Sequence, residues 1–218
     1  MTTREFLTPL TIALALVLVL ATITGFVLIP ADTILPVHWG ATGQADRFMP
    51  RDGALVMLPG IAALVFGLIV VAAKKSPSDR VAGARSGLRV VVPVILGLAS
   101  VIQAGTVLIG LGHQVDMVRM IVLGVGVMFV VLGNVLPKSQ PNMLSGVRLP
   151  WTLKSAANWQ ATNRLVGMLM LLGGVLTVVA ASLTGHPMVL LATVLAGAIV
   201  PTLVGAIYSY RLSRGEGA

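Results

Sequence analysis

From residue 9 to residue 29 the chain runs 21 residues without a charged side chain, and five more long apolar stretches follow, 53–73, 88–111, 117–136, 165–184 and 187–208. At about 1.5 Å of helical rise per residue, such a run reaches about 30 Å, the thickness of a bilayer's hydrocarbon core. Within lipid every backbone N–H and C=O must find a partner inside the protein, so lone apolar segments of this length have to be helices. Only 10% of the residues are charged, where a soluble domain carries about 25%. The fold class predicted is an all-α integral membrane protein with six transmembrane helices. The first run exceeds the roughly 7–15 apolar residues of a signal peptide and has no A-x-A-like cleavage site after it, so it is expected to stay as the first span.

Charge placement orients the bundle. Arg4, then Lys74, Lys75, Arg80, Arg85 and Arg89, then Lys138, Arg148, Lys154 and Arg164, then Arg211 and Arg214 fall on one side: twelve of the fifteen basic residues. Arg47, Arg51 and Arg119 fall on the other. Cytoplasmic loops are enriched in Lys and Arg, which places the N- and C-termini in the cytoplasm. The formal charge of +8 is thus spread by topology and forms no tract for direct nucleic-acid binding. Arg119 stands near enough to a span end to snorkel. Pro59, Pro93 and Pro201 lie within spans, where neighbours are expected to satisfy the carbonyls they free. The chain has no cysteine, which excludes disulfides, thiol nucleophiles and Cys-ligated metals.

Two polar loops stand out. The cytoplasmic one, 134–164, reads NVLPKSQPNMLSGVRLPWTLKSAANWQATNR. Pro137, Pro141 and Pro150 forbid a continuous helix through it, and Gly146 permits a turn before Arg148. Ser155 is a plausible N-cap for a helix leading into the fifth span, with Trp151 and Trp159 at headgroup level. Asn134 closes an apolar helix, where its amide needs a partner. The outer loop, 36–52, reads PVHWGATGQADRFMPRD; Trp39 suits the outer interface, and Gly40 and Gly43 allow turns. His38, His113, His186 and Asp116 all fall outside and are of the types that bind Zn²⁺, but they lack tight ligand spacing, and no metal is assigned. There is no H-E-x-x-H, G-x-S-x-G or P-loop, and no carboxylate at mid-membrane to relay protons. No catalytic residue, cofactor or enzymatic activity is expected.

In order, Asn134, Pro137, Lys138, Asn142, Gly146, Arg148, Pro150, Trp151, Trp159 and Arg164 resemble the signature of SdpI-type immunity proteins. The outer residues Pro36, His38, Trp39, Gly43 and Asp46 are similar to DUF1648, a small domain often found at the N-terminus of such proteins. Gly40, Leu149 and Asn163 depart from the pattern, standing where the family often has Asn, Thr and His. The resemblance divides the chain into a DUF1648-like part, 1–86, with two spans and the outer loop, and an SdpI-like part, 87–218, with four spans. It implies a bacterial cell-membrane protein that protects its producer from a secreted, membrane-active toxic peptide. In one branch of the family it also implies recruitment of a cytoplasmic repressor. The alternative is a small multi-span transporter or exporter, suggested by the in-span prolines and by a weak symmetry. The longest loop of each half follows that half's first span, and both begin Leu-Pro (Leu35-Pro36, Leu136-Pro137), as a 3+3 inverted arrangement would have it.

Overall fold

A computed structural model describes residues 6–75, 78–142 and 144–215. Arg4 lies outside the described residues, as do the side chains of Arg80 and Arg85. The elements are α1 (Pro9–Leu28), β1 (Ile34–Trp39), β2 (Ala45–Pro50), α2 (Arg51–Lys75), α3 (Ser78–Gly110), α4 (Met117–Val135), a 3₁₀ turn (Leu136–Lys138), α5 (Pro150–Lys154), α6 (Ala156–Leu183) and α7 (Pro187–Gly215). Six of the helices are long and apolar enough to cross a membrane. The span limits read from hydropathy agree at most ends. α3 and α6 start well before their apolar runs, because polar residues can continue a helix beyond the lipid; at α6 the Ser155 cap sets the start.

One expectation is corrected. The chain is mostly helical rather than all-α, since the outer loop folds as an antiparallel β-hairpin. Neither strand alternates apolar with polar residues, and each contains a proline, so there is little periodicity to read. Both strands are edges, which is where proline is tolerated.

The helices fall into two sets of three. α1, α2 and α3 pack together, α4, α6 and α7 pack together, and α3 against α4 joins the sets. Helix starts are built locally. Thr8 Oγ1 accepts the Thr11 N–H at the head of α1, Asp116 accepts the Arg119 N–H at α4, and Ser155 accepts the Asn158 N–H at α6. Each leaves one fewer orphan donor in the first turn.

Many large apolar side chains face outward, Leu183 being 81% exposed, while the interior mixes apolar residues with buried polar ones such as Gln103, Asn158 and Thr177. Lipid is as apolar as leucine, so helices in a bilayer gain by close backbone approach rather than by hiding leucines. The contact between α4 and α6 shows this. Gly126 and Gly133 lie two turns apart on one face of α4, and Gly167 and Gly174 do the same on α6. A methyl group on Gly133 would sit 2.6 Å from the Gly167 carbonyl, and one on Gly174 would sit 2.6 Å from the Gly126 carbonyl. Gly173 and Gly197 bring α6 onto α7 in the same way.

Buried polar side chains fix the first set. Pro59 has no N–H, so the Leu55 carbonyl four residues earlier has no donor within α2. The fully buried Gln103 of α3 supplies it, Nε2 donating to Leu55 O at 3.0 Å and to Thr22 Oγ1 of α1 at 3.0 Å. Ser100 adds a bond to the Leu14 carbonyl of α1. One amide thus ties three helices and mends a proline break. Arg119 reaches to the end of α6, donating to the Ala181 and Ser182 carbonyls at 2.6 and 2.7 Å.

Gln103→Leu is expected to destabilise the protein by about 1–2 kcal/mol. With Pro59→Ala in the background, α2 supplies its own donor to Leu55 and the loss should shrink. Unfolding in detergent across the four-variant cycle measures this; equal losses in both backgrounds would show that Gln103 does not serve the proline break.

Candidate functional site: a tethered loop and a hairpin-roofed cavity

At one end of the bundle, residues 136–155 are held by side chains of α6. Trp159 is wholly buried and donates its indole N–H to the Ser139 carbonyl at 3.0 Å. One turn later, Asn163 accepts the Val147 N–H through Oδ1 at 2.9 Å and donates Nδ2 to the Trp159 carbonyl. Gly146 passes over this pair with φ +96; a Cβ there would lie 2.8 Å from both Asn163 Oδ1 and the Trp159 ring. Asn142, also buried, closes the turn before it by accepting the Leu144 and Ser145 N–H groups at 2.8 Å each and donating to Gln140 O. The Thr152 hydroxyl shares its proton between the Val147 and Leu149 carbonyls and accepts the Leu149 N–H. Pro150 opens α5, where its missing N–H costs nothing.

The same end is tied to α7. Trp151 Nε1 donates to Ser209 Oγ at 2.9 Å, and its ring meets Tyr210 edge-on at 5.5 Å. Asn158 Nδ2 donates to the Ser209 carbonyl and its Oδ1 accepts the Thr162 hydroxyl. Pro137 packs on Gly167, where a Cβ would lie 2.8 Å from its ring.

The signature residues therefore separate into two groups. Asn142, Gly146, Trp151 and Trp159 come together as a scaffold, with Pro137 beside them. Asn134, Lys138, Arg148, Pro150 and Arg164 are exposed. Trp159 is buried within the protein rather than facing outward, and its N–H has a carbonyl to serve there. Asn134 lies outside the network, so its amide does not hold the loop. Sequence reading passed over Ser139, Thr152, Asn158, Thr162, Asn163 and Ser209 as site residues. The signal for three of them was the i, i+4 spacing of Asn158 with Thr162 and of Asn163 with the predicted Trp159, which makes each pair neighbours on the helix surface.

At the opposite end stands the hairpin. Its register runs Ile34↔Pro50, Leu35↔Met49, Pro36↔Phe48, then slips to His38↔Arg47 and Trp39↔Ala45. The slips leave Val37 and Asp46 as bulged residues, and the Asp46 carboxylate reaches back to His38 Nδ1 at 2.5 Å. Gly43, at φ +81, makes the tip turn and touches the first residue of α7, since a Cβ there would lie 2.6 Å from the Pro187 ring. Arg51 anchors the base, donating to the Ile29 carbonyl at 2.7 Å and to Asp52 at 2.8 Å, its guanidinium 5.5 Å over the Phe26 ring. Leu35 is buried with Ile29, Ala54, Leu55 and Val107.

Beneath the hairpin lies a cavity of about 570 Å³. Its roof is 36–41, including His38 and Trp39; its walls come from α2 and α3 of the first set and from α4 and α7 of the second. The lining is aliphatic apart from His38, Trp39 and Thr106. His38 is engaged by Asp46 rather than gathered with His113, His186 and Asp116. Among the described residues no three His, Cys, Asp or Glu side chains stand where they could share a metal ion.

Six spans, a roofed cavity at one end and a tethered cationic loop at the other define a multi-pass membrane protein. Residues 138–205 match the SdpI/YfhL protein family, and residues 12–63 match DUF1648, a domain of unknown function. The chain is thus a multi-pass protein of the bacterial cell membrane that is similar, over these parts, to SdpI-type proteins and to DUF1648. It is 32% identical over 121 residues to Immunity protein SdpI of Bacillus subtilis (strain 168), covering 55% of this chain and 58% of that protein. No solved structure matches.

Gly146→Ala should strain the left-handed turn by about 1–2 kcal/mol and push its methyl into Asn163 and Trp159. Tryptic cleavage after Lys138 and Arg148 is expected to accelerate several-fold, with the exposed Lys154→Ala as an unaffected control. An unchanged cleavage rate would mean that the loop does not depend on this contact.

Proposed function

We propose that this chain protects its cell against a secreted, membrane-active toxic peptide, acting without catalysis. The observation that carries the reading is the 32% identity to an immunity protein. The cavity supports it, because its roof belongs to the DUF1648 match and its α7 wall to the SdpI/YfhL match. A peptide arriving from outside would meet the hairpin and lodge an apolar segment below it.

In this reading the termini and the 136–155 loop are cytoplasmic, as the distribution of Lys and Arg favours. The exposed cations Lys138, Arg148 and Arg164 then form the face for a cytoplasmic repressor. Coupling between the ends requires two arrangements of the helix sets that the peptide binds unequally. We keep the division of the chain into 1–86 and 87–218, and the inverted 3+3 relation, as parts of this proposal. The second is favoured by the hairpin following α1 at one end and the tethered loop following α4 at the other.

The transporter reading draws on the same cavity between two helix sets and predicts saturable flux in proteoliposomes. Membrane potential separates the two. Sensitive cells expressing the chain should keep their potential when challenged with the toxic peptide of the same host, and Met57→Trp, which fills the cavity, should abolish this while inserting normally. Arg148→Ala should leave the peptide bound but lose the cytoplasmic response. Collapse at the same dose with and without the protein, for every host peptide tried, would refute immunity. Full protection by Met57→Trp would place the peptide elsewhere.

A further inference from the structure

A second hollow, of about 720 Å³, lies on the side of the bundle. α3 is its floor, and α1 and α4 are its walls; both pack on α3 but not along each other. Its lining includes Leu10, Val101 and Val127, which are exposed, so within a membrane this hollow opens to lipid. Gly97 leaves its middle open, a Cβ there meeting only Leu14 Cδ1 at 3.8 Å.

The polarity of the hollow is one-sided. Its polar residues are Thr8 at the head of α1 and Arg89 early in α3, both at the end that carries the 136–155 loop. From Arg89 to Val101 the lining of α3 extends about 18 Å, at about 1.5 Å per residue. One leaflet of hydrocarbon is about 15 Å deep. A trough one leaflet long, apolar along its length and cationic at headgroup depth, has the dimensions and charge of a phospholipid.

We propose that this trough binds an anionic phospholipid of that leaflet, its phosphate on Arg89 and an acyl chain laid along α3 past Gly97. Arg89 has a protein partner as well, and a guanidinium with five donors can serve both. The site is independent of the cavity beneath the hairpin, and it would hold α1 and α4 apart at a fixed spacing by filling the gap between them.

The test uses the full chain in nanodiscs of equal phosphatidylglycerol and phosphatidylcholine, released into native mass spectrometry. One phosphatidylglycerol should remain bound in preference to phosphatidylcholine. Arg89→Gln should reduce that retention by about five-fold, Arg89→Lys should restore most of it, and Gly97→Leu should remove it by blocking the chain's path. Helix content and thermal unfolding of each variant establish that it is folded; for one that is not, Arg89→Ala or Gly97→Val takes its place, with the same loss expected. Retention unchanged in folded Arg89→Gln and Gly97→Leu overturns the proposal, as does equal retention of the two lipids by the natural chain.

Discussion

A bilayer offers no water to a bare carbonyl, and this constraint decides where the few polar side chains of the protein must go. One helix break and two helix ends are met by a donor from another element. Gln103 serves the carbonyl that Pro59 strands in α2. Arg119 serves the last carbonyls of α6 from the start of α4, and Arg51 serves the end of α1 from the start of α2. In each case the donor comes from a different helix, so satisfying the backbone and packing the bundle are one act. The favourable field at a helix C-terminus adds to the two arginine contacts.

Close approach of helices follows from the same solvent. With no gain from hiding leucine, contact has to come from backbone meeting backbone, and the paired glycines of α4 and α6 supply it. These glycines stand two turns apart on both helices, so the two surfaces match along their length rather than at one point. The second set is held by this matching of shape together with the bonds of Arg119 to α6 and of Asn158 to α7, while the first set is tied by hydrogen bonds through Gln103 and Ser100.

Much of this was legible in the sequence. Six spans follow from run length, and the caps and the broken loop follow from Ser155 and the three prolines. Polar identity also marked the right stretch of chain at 134–164. It did not say which of those residues turn inward, because that depends on which carbonyls lack donors once the chain is folded. Trp159 looked like an interfacial anchor and is buried within the protein; Asn134 looked like a needed amide and is exposed. The hairpin was not legible, since its bulges at Val37 and Asp46 destroy the period-two pattern that marks a strand.

The contact between Gly43 and Pro187 has a consequence for biogenesis. Chains are made and inserted from the N-terminus, so the hairpin emerges long before the helix its tip rests on. Until α7 enters the membrane, the cavity lacks a wall and its apolar lining lies open to lipid. The site is thus finished only when the sixth span is inserted, and a chain truncated within that span would carry the hairpin yet lack the cavity's α7 wall.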